Sequence, residues 1–384
     1  MIKPHDIIKE CAELALAGRG FNKTNPLVGA IVVKSDKVIA RGYHRKFGKE
    51  HAEIDALKEA GAEAKSADLY VTLEPCSQAG KTPPCCVEIV KSGIKRVFIG
   101  VVDPNPLNMG KGISHLLDNN IQVFLGFDEE LCAAIIEDFT KSVLHKIPYF
   151  SVKIAQSLDG KIATSSGDSK WITNKSCREY VHYLRSISDA VLVGINTVIN
   201  DDPFLNVRSL TDVPDPLKIV LDKDLRIPVE SNLVKKSAEK LIIAAGNDIN
   251  SIKRIILEDK GVTIIKCDVV DNKHINVIEL SKALFERNIM NVLIEGGSEV
   301  FGTFIDKDMV DKIYLFMAPI IIGGKESISS VGGRGVPSIK RAKVVDFLEI
   351  KSIEDNFLCA GKLKDYTHYV LEKTDELRNR CLRA

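Results

Sequence analysis

The sequence lacks an excess of charge of either sign, and it lacks any long apolar run. Its 384 residues include 53 basic and 52 acidic side chains, for a formal net charge of +1. Nucleic-acid-binding proteins usually carry a basic excess, so that class of protein is disfavoured. No segment approaches the ~20 apolar residues that cross a bilayer, and charged residues interrupt the N-terminal pattern where a signal peptide would be apolar. We therefore expect a cytoplasmic protein with neither a membrane nor a nucleic acid as its partner.

The cysteines do not follow the even pattern of a small disulfide-bonded protein. The chain has nine of them, and six are scattered singly, as expected for buried or inert thiols in a reducing compartment. The other three, Cys76, Cys85 and Cys86, crowd one short stretch, TLEPCSQAGKTPPCC. That cluster admits several explanations: a disulfide, a metal site, a nucleophile or no function.

The length predicts two or three domains, and a composition of 45% apolar and 27% charged residues is that of a globular protein. Helix and strand patterns alternate from the start of the chain, and Pro148 interrupts a helical pattern over 128–145. We predict an α/β domain over 1–147 and a second one over 148–366, whose last strands form an antiparallel end of a mixed sheet. The charged segment 367–384 is expected to be a tail that forms a short helix or frays.

Two motifs carry the residue types of a catalytic zinc site. A catalytic zinc uses three protein ligands and leaves one position open for water, and zinc deaminases carry H-x-E followed by P-C-x-x-C. Here HAE supplies His51 and Glu53, and Cys76 and Cys85 follow with eight residues between them rather than two. The simpler alternatives are a structural zinc knot or unlinked thiols. A structural zinc has no need of Glu53, so the pattern favours a catalytic zinc.

The second half lacks a G-x-G-x-x-G after any of its predicted strands, so a Rossmann dinucleotide site is not supported. Instead, NVLIEGGSEVFGTFI predicts a strand, a turn at Gly296 and Gly297, and a helix. Backbone N–H groups at such a helix start can hold a phosphate. Taken alone the signal is weak, because a Gly-Gly turn is often only a connection.

Several motifs together resemble one enzyme family, the bifunctional deaminase–reductases of riboflavin biosynthesis. The likeness covers almost all of residues 1–365 and rests on TNPLVG, HAEIDAL, VTLEPCSQAGKTPPCC, DPNPLNMGKGI, VKIAQSLDGKIA, SKWIT, DDPFLNVR and EGG. It implies a cytidine-deaminase-like α/β/α domain followed by a dihydrofolate-reductase-like α/β domain, with Zn²⁺ and NADPH as cofactors. Edge strands in the second domain add the expectation of a homo-oligomer.

For the first domain, the resemblance implies zinc-dependent hydrolytic deamination of a diaminopyrimidinone that carries a ribosylamino 5′-phosphate. The implied zinc ligands are His51, Cys76 and Cys85, and Glu53 is the implied general acid and base. The implied substrate contacts are Asn25, His44, Lys81, Thr82 and Asp103. Turn capping is the simpler explanation for Asn25 and His44 taken alone. Gln78 departs from the family, whose members commonly have histidine there.

For the second domain, the resemblance implies NADPH-dependent reduction of the ribosyl side chain to ribityl. We hypothesise that Lys153 polarises the sugar oxygen and that Asp201 or Glu295 assists with protons. The implied NADPH contacts are Ala155, Trp171, Thr197, Asp201 and the turn from Gly297 to Gly302. The implied substrate contacts are Ser169, Arg185, Leu205, Arg208 and Glu295. Both arginines suit a phosphate, although a solvated helix face would also explain Arg185, and a core position would explain Trp171.

Two other functions compete with this two-step enzyme. One keeps the fold but leaves one half inactive or gives it another substrate. The other is a nucleic-acid binder with a structural zinc, which predicts a basic stripe and salt-sensitive binding. The balanced charge and the presence of Glu53 both argue against the binder.

Overall fold

The structure is a computed structural model that describes residues 3–22, 24–78, 83–208 and 213–381. It divides into two compact units. The first consists of Met1–Lys146 together with Asp365–Ala384, and the second is Ile147–Lys364. Within the described residues, every helix is too short or too polar to cross a membrane.

The first unit is built on a five-stranded sheet in the order β2-β1-β3-β4-β5, in which β1 runs antiparallel to its neighbours and β3, β4 and β5 are parallel. The strands are β1 (Gly29–Lys34), β2 (Lys37–Tyr43), β3 (Asp68–Leu73), β4 (Arg96–Val101) and β5 (Gln122–Leu125). The helices are α1 (Pro4–Ala15), α2 (Ala52–Ala60), α3 (Cys85–Ser92), α4 (Lys111–Asp118), α5 (Glu129–Ile135) and α6 (Glu137–His145), with 3₁₀ turns at Leu16–Gly18 and Gly61–Ala64. All six residues of β3 are buried, as expected for a central strand covered on both faces.

The segment expected to be a tail belongs to this same unit. It forms helix α13 (Thr367–Arg378). Val370 and Thr374 are fully buried, and Leu377 packs against the core of the unit. These three positions follow the i, i+4, i+7 spacing of one helix face. Charged residues are frequent in the segment and the apolar stripe is narrow. The sequence therefore suggested a tail that forms a short helix or frays, and not a helix packed on the core.

The second unit is built on a nine-stranded sheet in the order β11-β10-β9-β8-β14-β6-β15-β18-β17. Its strands are parallel from β11 to β15, and β18 and β17 complete an antiparallel end. The sheet strands are β6 (Tyr149–Ser157), β8 (Ala190–Gly194), β9 (Leu217–Leu221), β10 (Leu241–Ala245), β11 (Thr263–Lys266), β14 (Asn291–Gly296), β15 (Lys312–Ala318), β17 (Asp346–Ile353) and β18 (Asn356–Lys362). The mixed sheet predicted from the sequence is therefore present.

Among the described residues of the second unit, shorter strands and six helices complete the fold. Two small sheets pair β7 (Lys161–Ala163) with β16 (Ile328–Ser329), and β12 (Val269–Val270) with β13 (His274–Ile275). The helices are α7 (Lys175–Ser186), α8 (Ile195–Asp201), α9 (Asn232–Ser237), α10 (Ser251–Asp259), α11 (Val277–Glu286) and α12 (Ser298–Asp306), with 3₁₀ turns at Ala238–Lys240 and Ile339–Arg341. Helices α8 and α12 begin directly after the carboxyl ends of β8 and β14, the edge of a parallel sheet where ligands usually bind.

Candidate active sites of the two units

The predicted zinc ligands meet at the starts of two helices in the first unit. His51 is the residue before α2, Cys85 is the first residue of α3, and Cys76 follows β3. The Nδ1 atom of His51 lies 3.6 Å from Sγ of Cys76 and 3.2 Å from Sγ of Cys85. Bond lengths of about 2.0 and 2.3 Å to a tetrahedral zinc place such nitrogen and sulfur atoms roughly 3.6 Å apart. The three side chains therefore fit a zinc ion.

The surroundings of the cluster favour the thiolate form of Cys76, and Cys86 lies outside the cluster. A hydrogen bond with the Cys85 thiol lowers the pKa of Cys76, and the His51 ring acts in the same direction. Thiolate is the form of cysteine that binds zinc. All nine cysteines lie in the described part of the chain and are free of disulfides. Cys86 is buried in the hydrophobic core and is not a member of the cluster.

Glu53 is the second residue of α2, and its side chain is only 3% exposed. Burial raises its pKa to about 7, partly opposed by the charge of His51. A carboxyl group with a pKa near neutrality can both accept and return a proton during turnover. Glu53 therefore has the position and the proton affinity of a general acid and base.

Two predicted substrate contacts lie beside the cluster and hold each other. The His44 ring packs edge-on to the His51 ring, with 5.5 Å between their centroids. Its Nδ1 atom lies 2.9 Å from the carbonyl oxygen of Glu50, which accepts, so the proton is on Nδ1. Nε2 then accepts a 2.9 Å hydrogen bond from the amide of Asn25. Burial lowers the pKa of His44, which keeps the ring neutral.

A buried network, missed at the sequence level, organises the loop that carries Asp103. The carboxylate of Glu74 accepts hydrogen bonds from the backbone N–H groups of four residues of this region: Asp103, Gly110, Gly112 and Ile113. Asn108 donates to Asp103 and accepts from the backbone and hydroxyl of Ser77, the residue after Cys76. The network thus ties the Asp103 loop to the metal-ligand segment. Glu74 belongs to the motif VTLEPCSQAGKTPPCC, and Asp103 and Asn108 belong to DPNPLNMGKGI, but the sequence does not show that these two motifs contact each other.

Other predicted positions of the first unit are more peripheral. Gln78 is exposed and donates a 2.7 Å hydrogen bond to the carbonyl oxygen of Leu107, so it links the cysteine loop to the Asp103 loop. Lys81 and Thr82 lie outside the described residues.

The second unit contains a cavity of about 970 Å³ at the carboxyl ends of its parallel strands. Eleven of the predicted residues line it: Lys153, Ala155, Ser169, Trp171, Arg185, Thr197, Asp201, Leu205, Arg208, Glu295 and Gly297. Gly302 does not line it. A β-carbon at Gly302 would lie 2.3 Å from the backbone of Gly332, so this glycine allows α12 to pack closely against a neighbouring segment.

Three charged side chains form a buried group at the base of the cavity. The guanidinium of Arg185 makes a two-pronged contact with the Glu295 carboxylate, at 2.5 and 2.8 Å. Its third nitrogen donates to the carbonyl oxygen of Asn206, and the ammonium of Lys153 lies 3.8 Å from the same carboxylate. Arg185 is therefore engaged inside the protein, whereas the sequence suggested a phosphate contact or a solvated face.

Burial and charge set the proton affinities of this group. Burial works to raise the pKa of Glu295, but the charges of Arg185 and Lys153 outweigh it, and the pKa is lowered. Burial lowers the pKa of Lys153, and the charge of Glu295 only partly opposes this effect. The result is an ionised carboxylate beside a lysine that gives up its proton more readily than usual.

Aromatic and basic groups form the rim. Trp171 is 69% exposed, which excludes a core position, and the Arg178 guanidinium lies 4.5 Å from its ring centroid. Arg208 is exposed, and its backbone N–H donates to His182, another lining residue that the sequence did not single out. Lys223 and Arg226, which follow β9, also line the cavity and went unnoticed in the sequence because no motif contains them.

The cavity fits a phosphate-bearing dinucleotide at the start of α12. Gly297 is the residue before this helix, in an extended conformation that leaves its first N–H groups open. A β-carbon at Gly296 would lie 3.2 Å from the Thr197 hydroxyl, so a side chain there would fill the space in front of the helix. A helix N-terminus approached through glycine is a common phosphate site.

Both halves of the chain are similar to known proteins. The family model for the cytidine and deoxycytidylate deaminase zinc-binding region matches residues 1–101, and the model for the RibD C-terminal domain matches residues 148–355. A riboflavin biosynthesis protein RibD from Aquifex aeolicus is 41% identical over 329 residues, covering 86% of this chain and 90% of that protein. The corresponding protein from Bacillus amyloliquefaciens is 40% identical and covers 92% of this chain and 94% of its own length. The chain belongs to the RibD family.

Solved RibD structures extend the likeness to three dimensions. RibD from Acinetobacter baumannii superimposes with a TM-score of 0.84 at 33% identity, covering 94% of this chain and 98% of that one. A diaminohydroxyphosphoribosylaminopyrimidine deaminase/5-amino-6-(5-phosphoribosylamino)uracil reductase from Thermotoga maritima gives a TM-score of 0.80 at 33% identity, with the same coverage. The predicted fold class is confirmed. This RibD-family chain is a bifunctional deaminase and reductase of riboflavin biosynthesis, and its deaminase half carries a zinc-binding region.

Proposed function

We propose that the first unit deaminates a diaminopyrimidinone carrying a ribosylamino 5′-phosphate, and that the second reduces the ribosyl group of the resulting aminouracil to ribityl. The observation that carries the first step is the cluster of His51, Cys76 and Cys85 with buried Glu53 beside it. The second step is supported by the group of Lys153, Arg185 and Glu295 inside the cavity.

In the deamination step, His51, Cys76 and Cys85 hold the metal. Bound zinc acts as a Lewis acid, which makes a water molecule nucleophilic near neutral pH. Water adds to C2 of the ring, and the bond between C2 and the exocyclic nitrogen breaks with release of ammonia. Glu53 takes the proton from the water and gives it to the ring nitrogen, and it then carries the proton of the new hydroxyl to the leaving nitrogen, so that C2 is left as a carbonyl.

The substrate is held by the residues around this cluster. We assign Asn25 and His44 to one side of the ring and Asp103 to the other. His44 has a fixed tautomer, so its hydrogen bond with Asn25 orients the Asn25 amide. Burial raises the pKa of Asp103 to about 6, and this carboxylate accepts from Asn105 and Asn108. Lys81 and Thr82 stay predictions for the phosphate.

In the reduction step, NADPH held in the cavity would supply the hydride for C1′ of the sugar, and the bond between C1′ and the ring oxygen would break. Lys153 donates the proton that the ring oxygen needs, and its lowered pKa suits this transfer. Glu295 holds the Lys153 ammonium in place, and Arg185 keeps Glu295 ionised. Of the two arginines predicted to contact the substrate phosphate, Arg185 is paired with Glu295, so we assign this contact to Arg208 on the rim.

The remaining lining residues divide between the two ligands. We assign Ala155, Thr197 and the Gly297 turn to NADPH, with Trp171 and Asp201 at the rim. Lys223 and Arg226 supply the positive charge for the 2′-phosphate of this cofactor. Ser169 and Leu205 remain with the substrate. A homo-oligomeric state and a cytoplasmic location stay predictions.

The decisive experiment measures zinc content, ammonia release and NADPH oxidation on one preparation of the full chain. We expect one zinc per chain and ammonia release from the diaminopyrimidinone. Cys85→Ala should lose both zinc and ammonia release while it still oxidises NADPH with the aminouracil. Cys86→Ala is the matched control, because the neighbouring cysteine is buried outside the cluster. Ammonia release that persists without zinc would contradict the proposal.

A further inference from the structure

The chain returns to the first unit after it has formed the second, and the returning segment is helix α13. The family models match residues 1–101 and 148–355, so neither match includes this helix. Its buried face is an integral part of the hydrophobic core of the first unit, with Val370 fully buried. The helix therefore belongs structurally to the deaminase half of the protein.

The first contact of interest joins α13 to the end of strand β4. The Thr374 hydroxyl accepts a 3.2 Å hydrogen bond from the backbone N–H of Val102 and donates a 2.8 Å hydrogen bond to the carbonyl oxygen of Val370. Thr374 and Val102 are both completely buried. Val102 directly precedes Asp103, so this bond fixes the backbone at the point where the Asp103 loop begins.

Two further contacts reach the other end of the same loop. A β-carbon at Gly110 would lie 3.3 Å from Cδ1 of Leu377, so the Leu377 side chain packs directly on this glycine. The guanidinium of Arg380 donates a 3.4 Å hydrogen bond to the hydroxyl of Ser114 in the first turns of α4. The C-terminal segment thus contacts both ends of the stretch from Val102 to Ser114.

This stretch is the one that is tied to the metal-ligand segment. Asn108, in its middle, bonds to Asp103 and to Ser77, which is next to Cys76. Glu74 receives backbone N–H groups from both ends of the stretch, including those of Asp103 and Gly110. A shift of Val102 or Gly110 would therefore be transmitted to Asp103 and toward the cluster.

We infer that helix α13 is a positioning element of the deaminase site, acting through Thr374 and Leu377 on the Asp103 loop. This inference rests on the proposed function, because it takes Asp103 as a substrate contact. Thr374 is the positioning residue with the most specific chemistry: its hydroxyl accepts a buried N–H that no aliphatic side chain can satisfy.

The test is Thr374→Val, which keeps the shape of the side chain and removes the acceptor, in the zinc-loaded full-length protein. Misplacement of a substrate contact should raise KM for the diaminopyrimidinone roughly tenfold and leave kcat within about twofold. Zinc content and NADPH oxidation with the aminouracil should be unchanged. Thr374→Ser restores the hydroxyl and should restore KM.

Leu377→Ala is the second variant, because it removes the packing on Gly110 without touching the hydrogen bond, and we expect a smaller rise in KM. Glu372→Ala, on the exposed face of α13, is the matched control and should have no effect. An unchanged KM in Thr374→Val would overturn the inference. So would a lower melting temperature with unchanged kinetics, since that outcome assigns the helix to stability alone. Absence of ammonia release by the unmodified protein would instead overturn the proposed function, and this inference with it.

Discussion

The metal cluster of the first unit joins positions at most 34 apart in the sequence, whereas the Arg185–Glu295 pair of the second unit joins positions 110 apart. The first site is compact, and each of its ligands lies at a helix start or a strand end. The second is a wide cavity whose charged base is assembled across a parallel sheet. A local site can be read from motifs with fixed spacing. For a site assembled across a sheet, the motifs identify single residues but do not indicate which of them contact each other.

The largest expected effect concerns the proton carrier of the compact site. Glu53→Gln keeps the size of the side chain but cannot take a proton, so ammonia release should fall by about 10²- to 10⁴-fold. Zinc content and NADPH oxidation with the aminouracil should be retained. Glu50→Gln, a more exposed carboxylate near the same helix start, is the control. Normal ammonia release by Glu53→Gln would show that Glu53 is not the general acid and base.

The corresponding change in the wide site is Lys153→Met, which removes the proton donor and keeps the length of the side chain. We expect reduction of the aminouracil to fall about 10²-fold or more. NADPH binding, followed by fluorescence, and ammonia release should both be unaffected. Full reductase turnover in a correctly folded Lys153→Met protein would show that the role assigned to Lys153 is wrong.

Substitutions of Arg185 and Arg208, two of the arginines that line the cavity, should differ in their effect on the free energy of unfolding. Arg185→Met leaves the buried Glu295 carboxylate without its main partner and should cost about 3–5 kcal/mol of unfolding free energy. Arg208→Met removes an exposed group, so it should raise KM for the aminouracil and leave stability within roughly 0.5 kcal/mol. Denaturant unfolding and steady-state kinetics measure the two quantities. Equal stability of the two variants would contradict the internal role of Arg185.

The pH dependence of the reduction should reflect the protonation of Lys153. Burial lowers the pKa of Lys153, and the proposed step needs the protonated form. Reduction should therefore be full below that pKa and be lost as the pH rises through it, at a lower pH than the ~10.4 of an ordinary lysine. The profile of kcat/KM for NADPH oxidation, with its alkaline limb, provides the measurement. A limb at or above the ordinary lysine value would contradict the proton transfer from Lys153.

The smallest effect concerns cofactor choice. Lys223→Ala and Arg226→Ala each remove one positive charge from the rim, and each should weaken NADPH binding by about tenfold or less. NADH binding should be nearly unchanged, because it has no 2′-phosphate. Lys175→Ala is the control, because the Lys175 side chain on α7 is 82% exposed and does not line the cavity. Equal losses of affinity for NADPH and NADH would show that Lys223 and Arg226 do not bind the 2′-phosphate.

The sequence was sufficient to predict that His51, Cys76 and Cys85 cluster, because HAE and the two cysteines are a chemical pattern with few other uses. It was also sufficient for the mixed sheet, since the strands after residue 311 follow one another without helices long enough for parallel crossovers. It was insufficient for the role of Arg185, because a helical arginine has the same local pattern whether it faces water or a buried carboxylate. Glu74 and Asn108 escaped notice because their partners are backbone groups and a neighbouring loop, which leave no periodic signal.

Gly302 and helix α13 illustrate a further limit. Gly302 was predicted as the end of a phosphate-binding glycine turn, yet it lies inside α12, where its lack of a side chain allows close packing against Gly332. In α13, two buried positions and the partly buried Leu377 are outnumbered by charged neighbours, so composition alone suggested a tail. In both cases the deciding partner lies far away in the sequence or outside any motif.

The Val102–Thr374 hydrogen bond joins positions 272 apart, and this separation has a consequence for synthesis. A ribosome that adds about 5–20 residues per second makes Thr374 roughly 14 to 55 s after Val102. During that interval the nascent first unit has its zinc ligands and its sheet but not the helix that completes its core. All residues of the second unit are synthesised before α13 can complete the hydrophobic core of the first unit. The half of the enzyme whose synthesis begins first is therefore the last to be completed.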